Sequence, residues 1–304
     1  MGILLGALAA LLFGSSDVLA ARASRTAPVI SVTRTALLVS LVFTPFFLLF
    51  KSFHLTGLDW LYGVLSGVAT GLALLVLYIG YQRASIAVVA PVAAVLSAVV
   101  PVLVGLGRGN GLTLVAGAGI VVGVVAVGLS TYQPPAPAAA TTLSSAAAAP
   151  DGLLAVEPSA KPAVLGKQLG LVIGIIAGVG FGLAFAFLSL TNKHAGLAPV
   201  PIQRAVGLLF LTLVHPVQRA RWVVTARGRS RIFATCTGLT AGIAMGTLQL
   251  AYRHGSTAPV SVAASQFAAA TVLISALVNH ERLRRTQALG LVFASLGVAL
   301  MALG

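Results

Sequence analysis

The sequence predicts an all-α integral membrane protein of about ten transmembrane helices in two inverted five-helix repeats. Three observations point there. Hydrophobic residues make up 58% of the 304 and charged residues only 8%, whereas a soluble domain carries roughly 25% charged residues to face water. The apolar residues fall into runs of about the length a helix needs to cross the hydrocarbon core. The two halves of the chain also carry the same small and charged residues in the same order.

Charged and turn-forming residues cut the chain into apolar runs at roughly 2–22, 29–50, 57–80, 84–106 and 111–131, then 168–191, 199–217, 231–252, 256–278 and 284–303. The first run ends in a cleavage-like Val18-Leu19-Ala20. It lacks a basic leader and carries Asp17 just before that site, so it reads as a spanning helix rather than a signal peptide. Residues 1–131 form the first predicted repeat and 168–304 the second, inverted one. Between them, 132–167 reads as a disordered Pro/Ala-rich linker: its prolines cannot continue a helix, and its few large apolar residues follow no period.

The repeat rests on spacing. Gly63, Gly67 and Gly71 in the third run and Gly238, Gly242 and Gly246 in the eighth share a spacing of four, and each pair is 175 positions apart. Arg108 and Arg282 are 174 apart, as are Gly123 and Gly297. Leu12-Phe13-Gly14 is answered by Gly180-Phe181-Gly182, and Arg34 by Arg204. Five helices per half is odd, so the second copy enters the membrane from the opposite face. That is the architecture of many secondary transporters, with the site expected near the midplane. Small residues every fourth position permit close helix contact; a gliding surface is the other reading of them.

The formal charge of +14 would suggest nucleic acid in a soluble protein. Here Lys and Arg sit mostly in short loops, where they set orientation, and no nucleic-acid partner is expected. A single cysteine, Cys236, excludes an intramolecular disulfide. The five histidines are scattered without ligand spacing, so no metal is indicated, and no phosphate-binding GxxxxGK[ST] or other cofactor motif occurs.

The stretch Asn279-His280-Glu281-Arg282-Leu283, followed by Gln287, Gly290 and Gly297-Val298, resembles the ending of EamA-type transporters of the drug/metabolite transporter superfamily. Leu12-Phe13-Gly14 resembles their first-helix Trp-Gly motif, with Phe for Trp. Arg34 and Arg204 resemble the arginine early in the second helix of each repeat. Ala90-Pro91 and Ala258-Pro259 stand where the family often has proline. Gly107-Arg108-Gly109 departs from the Glu-Arg expected in the first half. The resemblance implies export or exchange of small metabolites, amino acids or amphiphilic drugs. It also implies a cavity between predicted helices 1, 3, 4 and 6, 8, 9, and both termini inside the cell.

Ionisable residues within a membrane are functional candidates. Asp17 is the only acid well inside a predicted helix, and Arg34 lies at matching depth across the first loop. A neutralising Asp17–Arg34 pair and a proton-coupling Asp17 are both open, as is an Asp17 facing interfacial water. Arg204 has no partner across its loop; snorkelling, binding an anionic substrate group and bonding backbone carbonyls are its readings. Polar candidates within the apolar runs are Ser15, Ser16, Thr70, Tyr78, Ser97, Gln249, Tyr252, Ser265 and Gln266. The glutamines stand out, since an amide cannot satisfy all its groups within one helix. Pro91 and Pro259 are candidate hinges for alternating access.

The functional reading is a multi-pass secondary transporter of the cell's inner (cytoplasmic) membrane, an exporter taking a small-molecule substrate, with the proton a candidate coupling ion. A passive channel or facilitative pore is the alternative, though the sequence offers few charges to line one. The odd-numbered loops carry 13 basic residues against 4 in the even ones, which places the former in the cytoplasm and both termini outside.

Overall fold

A computed structural model describes residues 1–24, 26–50, 53–83, 86–107, 113–131, 163–214, 222–224, 228–279 and 285–303. The linker expected over 132–167 falls almost wholly outside these. The described elements are helical: α1 (Gly2–Ala23), α2 (Val29–Phe43), α3 (Gly57–Arg83), α4 (Ile86–Gly107), α5 (Leu114–Thr131), α6 (Ala163–Leu190), α7 (Pro199–Leu213), α8 (Arg229–His254), α9 (Thr257–Ser265), α10 (Phe267–Asn279) and α11 (Arg285–Leu303). Two short 3₁₀ turns, Thr44–Phe50 and Lys193–Ala195, follow α2 and α6.

Two predicted helices are interrupted. The second run leaves α-geometry at Thr44–Phe50, where Pro45 supplies no N–H for the α-helical ladder and crowds the preceding turn. The ninth run breaks at Gln266, between α9 and α10. Its proline, Pro259, lies in the first turn of α9, where a missing N–H costs nothing. The α6 helix begins at Ala163, several residues before the predicted 168.

Among the described residues, five helices are long and apolar enough to cross a membrane: Gly2–Ala23, Val29–Leu49, Gly57–Leu77, Leu169–Leu190 and Arg229–His254. Shorter apolar helices include Pro199–Leu213. Large apolar side chains are exposed along them, as Leu4, Leu8 and Leu11 on α1 and Leu58, Leu61 and Leu65 on α3. Such surface is far beyond what a water-soluble monomer tolerates and fits contact with lipid. The two tryptophans, Trp60 and Trp222, are both exposed at opposite ends of the helices, as interfacial anchors are.

The helices do not pack half against half. The α6 helix lies against α3 and α4, and α7 against α3; these four make one bundle. The α8 helix lies against α1 and α2, while α9 and α10 lie against α1; these make the other. The bundles meet chiefly along α2–α7 and α4–α9, with α5 and α11 paired beside them. Each bundle therefore takes helices from both halves of the sequence.

Glycine makes the contacts inside the bundles. A Cβ on Gly67 of α3 would stand 2.6 Å from Val206 Cβ of α7, and one on Gly238 of α8 would stand 2.5 Å from the Ala36 carbonyl oxygen of α2. No side chain fits at such distances, so the close approach requires glycine. Both glycine triplets thus face the second helix of the other half.

Candidate functional site

A cavity of about 90 Å³ lies between the two bundles, lined by α1, α2, α8 and α10 on one wall and α3, α6 and α7 on the other. It has room for several waters. The expectation that α4 would line it is not met by the described residues; α2 and α7 take part instead. The reason is the interleaving: α2 packs on α8 and α7 on α3, which brings both second helices to the seam.

The walls are mostly apolar, with Phe13, Phe181, Phe185 and Phe267 facing inward. Phe13 stacks across the seam on Phe185 at 6.1 Å and edge-on against Phe267 at 6.4 Å. Among the candidates from the sequence, Ser16, Asp17, Thr70 and Arg204 line this cavity. Ser16 Oγ donates to the Thr237 carbonyl of α8. Asp17 accepts a hydrogen bond of 3.2 Å from the Thr271 hydroxyl of α10.

Arg34 is fully buried and donates from Nε and Nη2 to the Leu211 carbonyl near the end of α7, the shorter bond being 2.8 Å. The Asp17–Arg34 pair is thus not formed: Asp17 bonds to α10 and Arg34 to α7. Matching depth on neighbouring helices was insufficient, because rotation about each helix axis aims the side chains apart. Arg204, only 4% exposed, donates from Nη2 to the Ala241 carbonyl at the middle of α8, at 2.9 Å. It does not snorkel outward.

The remaining candidates lie away from the cavity. Gln249 donates to Thr191 Oγ1 at 2.9 Å and Tyr252 shares a 2.9 Å bond with Ser261, both near the end where α1, α3 and α9 begin and α6 and α8 end. Ser265 bonds its own helix at Val262, and Gln266 bridges from the α9–α10 break to the Gly123 carbonyl of α5. The side chains of Tyr78 and Pro91 lie outside those described.

Sequence reasoning missed a second polar centre at that same end. Asp59, 1% exposed in the first turn of α3, accepts from the Asn192 N–H at 2.6 Å and from the Thr56 N–H and hydroxyl. Arg253 of α8 donates to the Thr191 and Asn192 carbonyls and to Thr191 Oγ1. Gly196, at φ +54, turns the chain there and offers its carbonyl to Gln249 at 3.5 Å. All these bonds converge on the turn between α6 and α7, over a polar hollow of about 850 Å³. Thr56 three residues before Asp59 is a capping spacing the sequence displays. Gln203 was also missed; fully buried, it donates to Ser66 and Thr70 of α3.

Three arginines therefore bridge the seam between the bundles through backbone carbonyls: Arg253 at one end, Arg204 in the middle, Arg34 toward the other. Against this geometry stand the comparisons with known proteins. Residues 1–132 match the EamA-like transporter family. The match is consistent with an EamA-type transporter of the drug/metabolite transporter superfamily, and with the apolar helices it supports a multi-pass membrane protein. Among 25 matching chains of solved structures is a crystal structure that superposes with a TM-score of 0.71, covering 99% of this chain and 96% of its own at 14% identity. That likeness is one of fold alone. No curated protein matches.

Proposed function

We propose that this EamA-like protein is a secondary transporter of the inner membrane that exports small metabolites, amino acids or amphiphilic drugs by alternating access. The observation that carries it is the small cavity at mid-depth on the seam between two bundles, with Arg204 and Asp17 in otherwise apolar walls. Ten membrane crossings in two inverted repeats are part of the proposal. The mirrored packing supports it: α3 sits on α6 and α7 as α8 sits on α1 and α2. The matched glycines Gly123 and Gly297 also approach each other, a Cβ on the latter falling 2.9 Å from the former's nitrogen.

In this mechanism the moving bodies are the interleaved bundles rather than the sequence halves, and the arginine bridges are what must be exchanged as they rock. The bridges of Arg253 to Thr191 and of Arg34 to Leu211 support an alternating device over an open pore, because they join the bundles on either side of the cavity along the helices. Asp17 is the candidate group for proton coupling. Candidate solutes counter-flowed into proteoliposomes, with and without a proton gradient, test the function; failure of every solute class to exchange, with the protein folded and inserted, overturns it. The basic loops place both termini outside, against the family expectation. Fluorescence from a C-terminal green fluorescent protein without alkaline phosphatase activity from the matching fusion would reverse that orientation.

A further inference from the structure

We infer that Arg204 is the anchor for a carboxylate on the solute, and that the incoming carboxylate takes the guanidinium from the Ala241 carbonyl. The inference rests on the transporter reading above and narrows it to monoanionic or zwitterionic carboxylates.

Arg204 lies on the cavity wall, 4% exposed, and its Nη2 alone is engaged, at Ala241. Among the described residues its Nε has no hydrogen-bond partner. A guanidinium is a planar fork of five donors, and the edge formed by Nε and one Nη matches the two oxygens of a carboxylate. A buried donor with no acceptor carries a desolvation penalty; a bidentate oxyanion removes it, and the Ala241 carbonyl, reaching Nη2 alone, does not. The exchange leaves no new orphan. Ala241 stands mid-helix in α8, so its carbonyl keeps its intrahelical bond when Arg204 leaves.

The rest of the cavity selects the class. Four phenylalanines and aliphatic side chains favour an apolar body beside the charged group. Asp17 faces the same space from α1, which disfavours a dianion such as a phosphate monoester and accommodates an ammonium group. At about 90 Å³ the space suits a small solute. Because the Ala241 bridge joins α7 to α8 across the seam, a ligand that breaks it also removes one of the ties holding the bundles together.

Three probes of one shape separate the charges: leucine, 4-methylpentanoate, which lacks the amine, and leucinamide, which lacks the carboxylate. Thermal unfolding of the full-length protein in lipid nanodiscs is followed over a titration of each at constant ionic strength. Both carboxylates should bind roughly tenfold or more tightly than leucinamide, the size of one lost charge-assisted contact. Arg204→Gln should abolish that difference, and Arg204→Lys, which keeps the charge but not the fork, should weaken both carboxylates roughly tenfold. Leucinamide binding as well as leucine in the unmodified protein, no carboxylate binding at all, or a carboxylate preference surviving in Arg204→Gln would each overturn the assignment. The probe panel needs no variant to fold. Carboxylate binding without any exchange in proteoliposomes would instead retire the transporter reading and leave the anchor; equal exchange of leucine and leucinamide would do the reverse.

Discussion

Contacts inside the bundles and contacts between them are built from different chemistry. Inside, α3 meets α7 and α8 meets α2 through glycine, with a backbone on one side and Val206 or Ala36 and Val39 on the other. Between the bundles, apolar side chains pack without glycine, Leu37 against Leu208 and Leu211 and Val102 against Val262, and long arginine side chains reach backbone carbonyls at Leu211, Ala241 and Thr191. Glycine packing is short-range and unforgiving: a shift of an ångström forfeits much of its dispersion energy. An arginine arm can release one carbonyl and take another acceptor at similar distance. The difference teaches where motion is cheap, namely across the seam and not within a bundle.

The strongest way to break this comparison is to fill a glycine seam. Gly238→Val places carbon 2.5 Å from the Ala36 carbonyl and should cost about 3 kcal/mol or more by overpacking, seen as loss of monodisperse protein in size-exclusion and thermal-unfolding assays. Gly57→Ala, with nothing within 4 Å of its new carbon, should leave unfolding unchanged. Equal effects from the two would show that the glycine seam is not a tight contact.

Next in size is the tie at the α6–α7 turn. Asp59→Asn retains shape but removes the charge that accepts from Asn192 and Thr56. Hydrogen bonds to a charged group contribute about 1.5–3 kcal/mol, so amide exchange at Asn192 should quicken at least about tenfold while exchange in the glycine-packed middle of α8 does not. Uniform acceleration across both regions would mean that the tie stabilises the whole fold rather than gating one end of it.

Asp17→Asn should have a smaller effect on stability, within about 1 kcal/mol, because an amide oxygen still accepts from the Thr271 hydroxyl at ordinary neutral strength. If Asp17 carries the coupling proton, the same variant should lose pH-driven transport and keep solute exchange. Unaltered pH-driven transport would remove Asp17 from the coupling mechanism.

The smallest effect is expected from the linker. Segments 1–140 and 160–304, expressed as separate chains, should co-purify and transport, since each bundle takes helices from both halves. Well-inserted halves that stay apart would show that the connection does more than tether.

The helices were legible because hydropathy and loop charge are local properties of the chain. Runs such as 57–80 and 231–252 became α3 and α8 with small changes at the ends. Breaks were less legible. Pro259 marks a helix start, and the interruption falls at Gln266, which carries no breaking residue of its own. Four candidates, Ser16, Asp17, Thr70 and Arg204, reached the cavity. The amide nitrogens of Gln249 and Gln266 reach beyond their own helices, to Thr191 and to Gly123, which the sequence does not indicate. Asp59 stands at the very start of the third run, and its burial depends on the α6–α7 turn, 133 residues away in sequence.

By itself, then, the sequence determined that the chain lives in lipid, the order of its helices, and which positions must be small or polar. Membrane partition depends on composition summed along a run, which needs no knowledge of neighbours. Partner choice depends on the rotation of each helix about its axis and on which helices lie side by side. Only the tertiary structure decided that Arg34 answers to Leu211 and not Asp17, and that the halves interleave into two bundles with the cavity on the seam between them.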